Sequence, residues 1–257
     1  MPVSVNLLNM KYTQITSASN HKIKEALDIK NKRSKYKDAA FIIEGPHLIE
    51  MALASGHQIK EVFFTSAFSA KKDMQKLLGQ LSKKSNVIVP KIPLKLSFRQ
   101  VVSRNPVPCE KTLDSRLRGN DGLGGFSGEI FEVTEQIMHK LADTETPQGI
   151  IAIASYGIKS LEEIRFKSAP LIVAVDGVQE PGNLGTIIRT SDAASADAVV
   201  ILKGTCDVFM QKTIRATAGS IFNIPIIYSS TDKFIDWLKS NGVMLLATAL
   251  GSDKSIF

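Results

Sequence analysis

The sequence predicts an α/β protein of two domains, and three observations carry that expectation. Apolar runs of strand length at Leu171–Val175, Ala198–Leu202 and Ile224–Tyr228 alternate with amphipathic stretches. Strand, helix, strand, helix, strand in that order implies a parallel sheet. Further apolar runs at Phe41–Ile43, Val62–Phe64, Val87–Val89, Ile130–Val133 and Ile150–Ala154 imply a second, smaller α/β unit upstream. A length of 257 residues suffices for two modest domains. The boundaries read as 1–155 for the first domain, 156–170 for a charged linker and 171–257 for the second.

The composition narrows the class. Hydrophobic residues make up 44% and charged residues 22%, ordinary values for a soluble globular chain. A formal charge of +7 favours a polyanionic partner. Cys109 and Cys206 form no metal or redox spacing, and His21, His47, His57 and His139 are scattered without a ligand pattern. No metal site is expected. The N-terminus lacks an apolar signal core and no apolar run approaches membrane-spanning length, so a soluble protein of the reducing cytoplasm is expected.

Thr16–Asn20 supplies capping residues ahead of a helix whose apolar stripe is Ile23, Ala26 and Leu27, with Lys22, Lys24 and Lys30 on its solvent side. Lys32, Arg33, Lys35 and Lys37 extend the positive charge to the edge of the next strand. Such a run is either a solvated face or a surface for phosphates. Phe41–Ile43 turns through Glu44-Gly45-Pro46 into a helix with Pro46 at its first position and Leu48, Met51 and Ala52 inward. Met74, Leu77, Leu78 and Leu81 mark a further helix, and Thr134–Leu141 a short one with Ile137 and Leu141 inward. Between them, residues 98–125 are rich in Pro, Gly, Asn and Arg and show neither period. Leu113–Gly122 resembles the translated product of a dispersed palindromic DNA repeat. The segment reads as an insertion on a tolerant loop, its rival being a basic loop that contacts a polyanionic partner through Arg99, Arg104, Arg116 and Arg118.

The second domain holds the chemistry. Leu171–Val175 reads as a strand buried on both faces. It is followed by a loop with Gly177, Pro181, Gly182 and Gly185, by Asn183 placed to cap a helix starting near Gly185, and by Arg189 on one helix face with Thr186 and Thr190. Working sites of parallel sheets lie beyond the C-terminal strand ends, which points to Asp176–Gly185. The glycines fall as G-x-x-x-x-G-x-x-G, neither the dinucleotide fingerprint nor a P-loop. A second helix is expected over Asp207–Ala218, placing Lys212 and Arg215 at i and i+3 on one face.

Asp176, Val178, Pro181, Gly182, Asn183, Leu184, Gly185, Ile188, Arg189 and Thr190 resemble the first motif of the SpoU-type (TrmH-type) RNA 2′-O-ribose methyltransferases of the SPOUT class. Lys212, Ile214, Arg215, Ala218, Gly219, Phe222, Pro225 and Ile226 continue that pattern. Ser19-Asn20, Phe41–Gly45 and Thr146–Gly149 resemble the small substrate-binding sandwich that precedes the catalytic domain in the family. The resemblance implies a trefoil-knot-class fold, methyl transfer from S-adenosylmethionine to a ribose 2′-hydroxyl of RNA, ribosomal RNA foremost, and a homodimer. It implies Asn183 and Arg189 as the catalytic pair. Beside such a motif, Lys22, Lys24, Lys32, Arg33 and Lys35 are expected to hold RNA phosphates, and Lys212 and Arg215 either to take further phosphates or to form surface salt bridges. A guanidinium stays protonated in proteins, so Arg189 is expected to grip a phosphate and favour a forming alkoxide rather than act as a base.

After a helix at Phe234–Leu238 and a strand at Val243–Ala247, two family motifs are expected but not found: a Gly-Asn-Glu turn and an Ile-Pro…Ser-Leu-Asn segment. The domain is therefore expected to be incomplete and unknotted, with no assignable donor-binding residues and with apolar surface left uncovered near Val243–Ala249. The alternative function is a non-catalytic RNA-binding protein that retains the substrate domain.

Overall fold

The computed structural model describes residues 11–31, 38–71, 77–78, 81, 126–165 and 170–248. The insertion at 98–125, the Val87–Val89 strand, and Lys32, Arg33, Lys35 and Lys37 lie outside the described residues.

The first unit is a five-stranded sheet built from β1 (Thr13–Ile15), β2 (Asp38–Glu44), β3 (Ile59–Phe64), β4 (Phe126–Val133) and β5 (Ile150–Gly157), in the order β1-β4-β3-β5-β2. β4 runs parallel to β1 and β3, whereas β5 runs antiparallel to β3 and β2. Alternation along the strands sorts side chains between two layers. Ile42, Phe63, Ile151 and Ile153 face α1 (His21–Asn31) and α4 (Glu135–Leu141), meeting Ile23, Ala26, Ile137 and Leu141. Phe41, Ile43, Val62, Phe64, Ile150 and Ala152 face the other way, towards α2 (Pro46–Ala54), Phe68 of α3 (Ser66–Ser69) and the buried Leu77, Leu78 and Leu81. Local signals set the helix starts. Asn20 Oδ1 accepts from the Lys22 N–H, Pro46 stands in the first turn of α2, and Thr134 Oγ1 accepts from the Ile137 N–H.

The second unit is a parallel sheet, β6 (Ile172–Val175), β7 (Ala198–Ile201) and β8 (Ile226–Tyr228), in chain order. Val199 and Ile201 face α5 (Pro181–Ala193) and α6 (Gln211–Ala216). Ala198 and Val200 face α7 (Thr231–Ser240) through Phe234 and Leu238, with Leu161 and Ile164 beside them. No helix among the described residues is long and apolar enough to cross a membrane.

Four expectations need correction. β6 is not buried on both faces: only Val175 is buried, and Leu171 is 47% exposed, because β6 is an edge strand and β7 is the central one. Residues 243–248 are not a strand, since they pair with no neighbour, and Met244, Leu245 and Leu246 stand exposed. The helix expected from Asp207 starts at Gln211, because Asp207 Oδ1 accepts from the Phe209 N–H and turns the chain first. Lys22 and Lys30 are not free on the solvent face. Lys22 pairs with Glu61 (2.6 Å) and Glu129 (2.8 Å), and Lys30 Nζ donates to the carbonyls of Lys140 and Ala142 at the end of α4.

The two units share one core across a seam of aromatic rings. Phe41 lies 5.0 Å from Phe209 and 6.3 Å from Phe222, while Tyr156 lies 5.4 Å from Phe209. Tyr156, the last inward residue of β5, donates its hydroxyl to the Ile224 carbonyl (3.2 Å) and accepts from the Ile226 N–H (3.0 Å). Burial pushes its phenol up to about 12, so the hydroxyl stays a donor. Lys159 then forms a parallel bridge with Ile227, so the chain leaving β5 covers the outer edge of β8. Gly219 (φ 93) lets the backbone pass under α2, since a Cβ there would sit 2.1 Å from the Met51 sulfur.

His57 stacks on Tyr156 at 5.4 Å, and its Nε2–H donates to the Phe222 carbonyl at 3.2 Å. Burial lowers its pKa from the usual 6.5, against the raising effect of nearby carbonyls. The unfolded chain therefore takes up this proton at higher pH than the folded one. Stability contributed by neutral His57 is present above about pH 6.5 and is lost as pH falls towards the depressed folded value. His57→Gln, which cannot titrate, should flatten the fall in thermal midpoint between about pH 7.5 and 5.5. Tyr156→Phe strips Ile226 N–H and Ile224 C=O of their buried partner. Denaturant melts should show a loss of about 1–3 kcal/mol with an unchanged m-value.

Candidate active site

Three loops emerge at the C-terminal ends of β6, β7 and β8, where a parallel sheet presents ligands. The first two are fastened together. Leu202 N–H and Thr205 Oγ1 both donate to the Val175 carbonyl (2.9 and 3.0 Å), and Cys206 N–H donates to Val178 (2.8 Å). The Gln179 amide donates to the Gly204 carbonyl. Gly177 (φ 69) and Gly204 (φ 91) supply the left-handed turns that bring these loops side by side. Burial raises the Cys206 thiol, so it is a weak nucleophile at neutral pH. Asp176 is exposed at the end of β6, and the loop is ordered by its neighbours instead.

Glu180, not Asn183, caps the helix. α5 begins at Pro181, four residues earlier than its glycines suggest, with Pro181 in the first turn. Glu180 Oε2 accepts from the Asn183 N–H at 2.9 Å, and its Oε1 accepts from Lys212 Nζ at 2.5 Å. Lys212, then the Asn183 N–H, hold this carboxyl below the usual range. Asn183 is thus the third helical residue, its side chain exposed at the positive end of the helix. A sequence signal for Glu180 was present: an acidic residue directly before a proline at the first helical position is a capping arrangement.

Leu184, Gly185, Ile188 and Ser191 form the buried face of α5, which leaves Asn183, Thr186, Arg189 and Thr190 outward. Arg189 makes no ion pair among the described residues, so its five donors are available to a ligand. α6 crosses α5 at Gly185, where a Cβ would lie 2.4 Å from the Ala216 Cβ and 2.6 Å from the Thr213 carbonyl. Lys212 and Arg215 emerge from α6 beside this crossing. Arg215 pairs with Asp143 of the first unit at 3.1 Å, and Gln211 donates to the Leu141 carbonyl at 3.2 Å. The structure therefore brings Asn183, Arg189, Lys212 and Arg215 onto two packed helices. Lys22 and Lys24 lie on α1 of the other unit, with Lys24 exposed.

Two clefts among the described residues have volumes of about 370 and 300 Å³. One lies between Leu161–Arg165 and Trp237, the other between α1 and the first sheet, and neither is bordered by the Asp176–Glu180 loop, α5 or α6. The residues around Arg189 thus offer cations and helix-end donors suited to phosphates. Adding a methyl group at the crossing tests how tightly the two helices are set. Gly185→Ala should cost about 1–3 kcal/mol in equilibrium unfolding and weaken anion binding by parting α5 from α6.

Comparison with known proteins agrees with this geometry. Residues 170–257 match the SpoU rRNA Methylase family, and residues 20–99 match the MRM3-like substrate binding domain. The chain is 32% identical over 237 residues to the 23S rRNA (guanosine(2553)-2′-O)-methyltransferase RlmP of Bacillus subtilis, covering 92% of this chain and 73% of that protein. It is 31% identical over 117 residues to the 23S rRNA (guanosine-2′-O-)-methyltransferase RlmB of Pseudomonas aeruginosa, covering 43% of this chain and 47% of that one. An AdoMet-bound rRNA methyltransferase from Sinorhizobium meliloti superimposes with a TM-score of 0.62 at 26% identity, over 89% of this chain and 69% of that one. With residues 170–257 matching that family and RlmP matched at 32% identity over most of both chains, the chain belongs to the SpoU family of RNA 2′-O-ribose methyltransferases.

Proposed function

We propose that this chain methylates a ribose 2′-hydroxyl of ribosomal RNA, with residues 1–155 holding the substrate, 156–170 linking, and 171–257 carrying the reacting face. The observation that supports it most directly is Arg189, unpaired among the described residues and outward on the helix that opens beyond β6. S-adenosylmethionine, the donor implied by the resemblance, supplies an activated methyl group when bound. The chain's own residues act on the RNA. Arg189 takes a phosphate beside the target ribose in bidentate fashion, and its fixed charge favours the alkoxide that develops as the hydroxyl proton leaves. The N-terminus of α5, with the exposed Asn183, adds a positive dipole end on the same side. Lys212 and Arg215 hold flanking phosphates, and Lys24, Lys32, Arg33 and Lys35 hold phosphates further along the RNA, while Lys22 stays with Glu61 and Glu129. Work as a homodimer in the cytoplasm is part of the same reading.

Tritium transfer from labelled donor to unmodified ribosomal RNA, with the product located at the 2′-oxygen, tests the proposal. Arg189→Lys should lower transfer about 10²–10³-fold while leaving the fold intact by circular dichroism. Near-parental transfer by the lysine variant would overturn the bidentate role. Salt-dependent RNA binding without any transfer would instead favour the second reading, a non-catalytic RNA-binding protein.

A further inference from the structure

Every cation that α6 presents is held by a carboxylate from another element. Lys212 is bound by Glu180 of the strand-end loop, and Arg215 by Asp143 of the first unit. The second pair has unusual surroundings. Asp143 lies in the connection from α4 to β5, and that connection is fastened on both sides of it. Lys30 Nζ donates to the Ala142 carbonyl just before it (2.5 Å). Thr144 Oγ1 just after it donates to Glu44 Oε1 (2.6 Å), and the Gln148 N–H reaches the same oxygen (3.4 Å). Glu44 itself is only 3% exposed, at the end of β2, so it anchors the connection from inside the first sheet. Gln211 of α6 grips the Leu141 carbonyl. Asp143 is therefore a fixed carboxylate, and Arg215 is the long, flexible partner.

Arg215 shows the complementary state. Its Nη2 donates to Asp143, whereas its Nη1 is buried with no hydrogen-bond partner. A guanidinium offers a planar fork suited to two oxygens of one anion, and one carboxylate oxygen on one nitrogen leaves that fork half used. Both side chains remain partly exposed, so this ion pair contributes little net stability and exchanges readily.

We propose that Asp143 occupies Arg215 in the free chain in place of an RNA phosphate, making Asp143 a specificity-determining residue at the junction of the two units. The proposal rests on the RNA-binding part of the function proposed above. RNA reaching α6 has to take Arg215 from Asp143, exchanging a one-point contact for a two-point one. RNA that fails to reach Arg215 makes no such exchange, so the carboxylate screens out weak, non-specific polyanions. The same competition does not exist for Arg189, which has no carboxylate partner among the described residues.

The test is a double-mutant cycle read by fluorescence anisotropy with a 20-nucleotide oligouridine, titrated at several salt concentrations. Asp143→Asn should tighten oligouridine binding about three- to tenfold at low salt and steepen the salt slope by about 0.7, one additional phosphate on a single strand. Asp236→Asn, on the exposed face of α7, makes the same change in net charge and should shift affinity much less. In an Arg215→Gln background the gain from Asp143→Asn should fall to that of Asp236→Asn. An equal gain in both backgrounds, or none beyond the Asp236 control, would overturn the proposal while leaving RNA binding intact. No binding of oligouridine or ribosomal RNA by either the parent or Asp143→Asn would overturn this proposal and the functional reading together.

Discussion

One buried hydroxyl fixes how the two sheets meet. Tyr156 ends β5, and its oxygen satisfies both a carbonyl and an N–H at the entrance to β8. Both groups are buried there, and buried backbone groups left unpaired are costly. The hydroxyl therefore acts as a piece of sheet ladder supplied by the other unit. Around it, Phe41, Phe209, Phe222 and His57 remove the surface on either side from water. Because Phe209 and Phe222 flank α6, the same packing places Lys212 and Arg215 beside the first unit. The geometry of the reacting face is thus inherited from the seam.

The electrostatics of the molecule are more economical than a charge of +7 suggests. Lys22 is spent on Glu129 and Glu61, which raise its pKa, and Lys22 in turn holds the Glu129 carboxyl low. Lys30 is spent on the end of α4. Lys212 and Arg215 carry their own counter-charges. Among the cations of α1, α5 and α6, Lys24 and Arg189 are the exposed ones that pair with no carboxylate among the described residues. A basic composition marks affinity for polyanions in general, but where an anion can settle depends on which cations the fold leaves unoccupied.

Much of this fold was legible because its signals are local. Asn20, Pro46 and Thr134 announce helix starts within four residues, and the unbroken apolar run Ile150–Ala154 announces a buried strand. The outward placement of Arg189 followed from helical period alone. What escaped was non-local or competitive. Tyr156 reads as part of a linker because its partners lie 68 and 70 residues further on. Lys30 reads as solvated because its carbonyls are more than a hundred residues away. The cap of α5 was misplaced because Asn183 and Glu180 both suit the role, and Pro181 decides between them. An apolar run such as Leu171–Val175 reports its content, not whether the strand lies at the centre or the edge of its sheet.

The bridge between Lys159 and Ile227 has a directional consequence. With the flank of β8 already occupied by residues that leave β5, the parallel sheet is closed on that side. Among the described residues no strand lies beside β6 on its other flank, and Leu171 and Ala174 are exposed there. Of the described flanks, the one beside β6 is where a further strand fits, so growth of the sheet is one-sided, and its polarity is set by a single lysine's backbone.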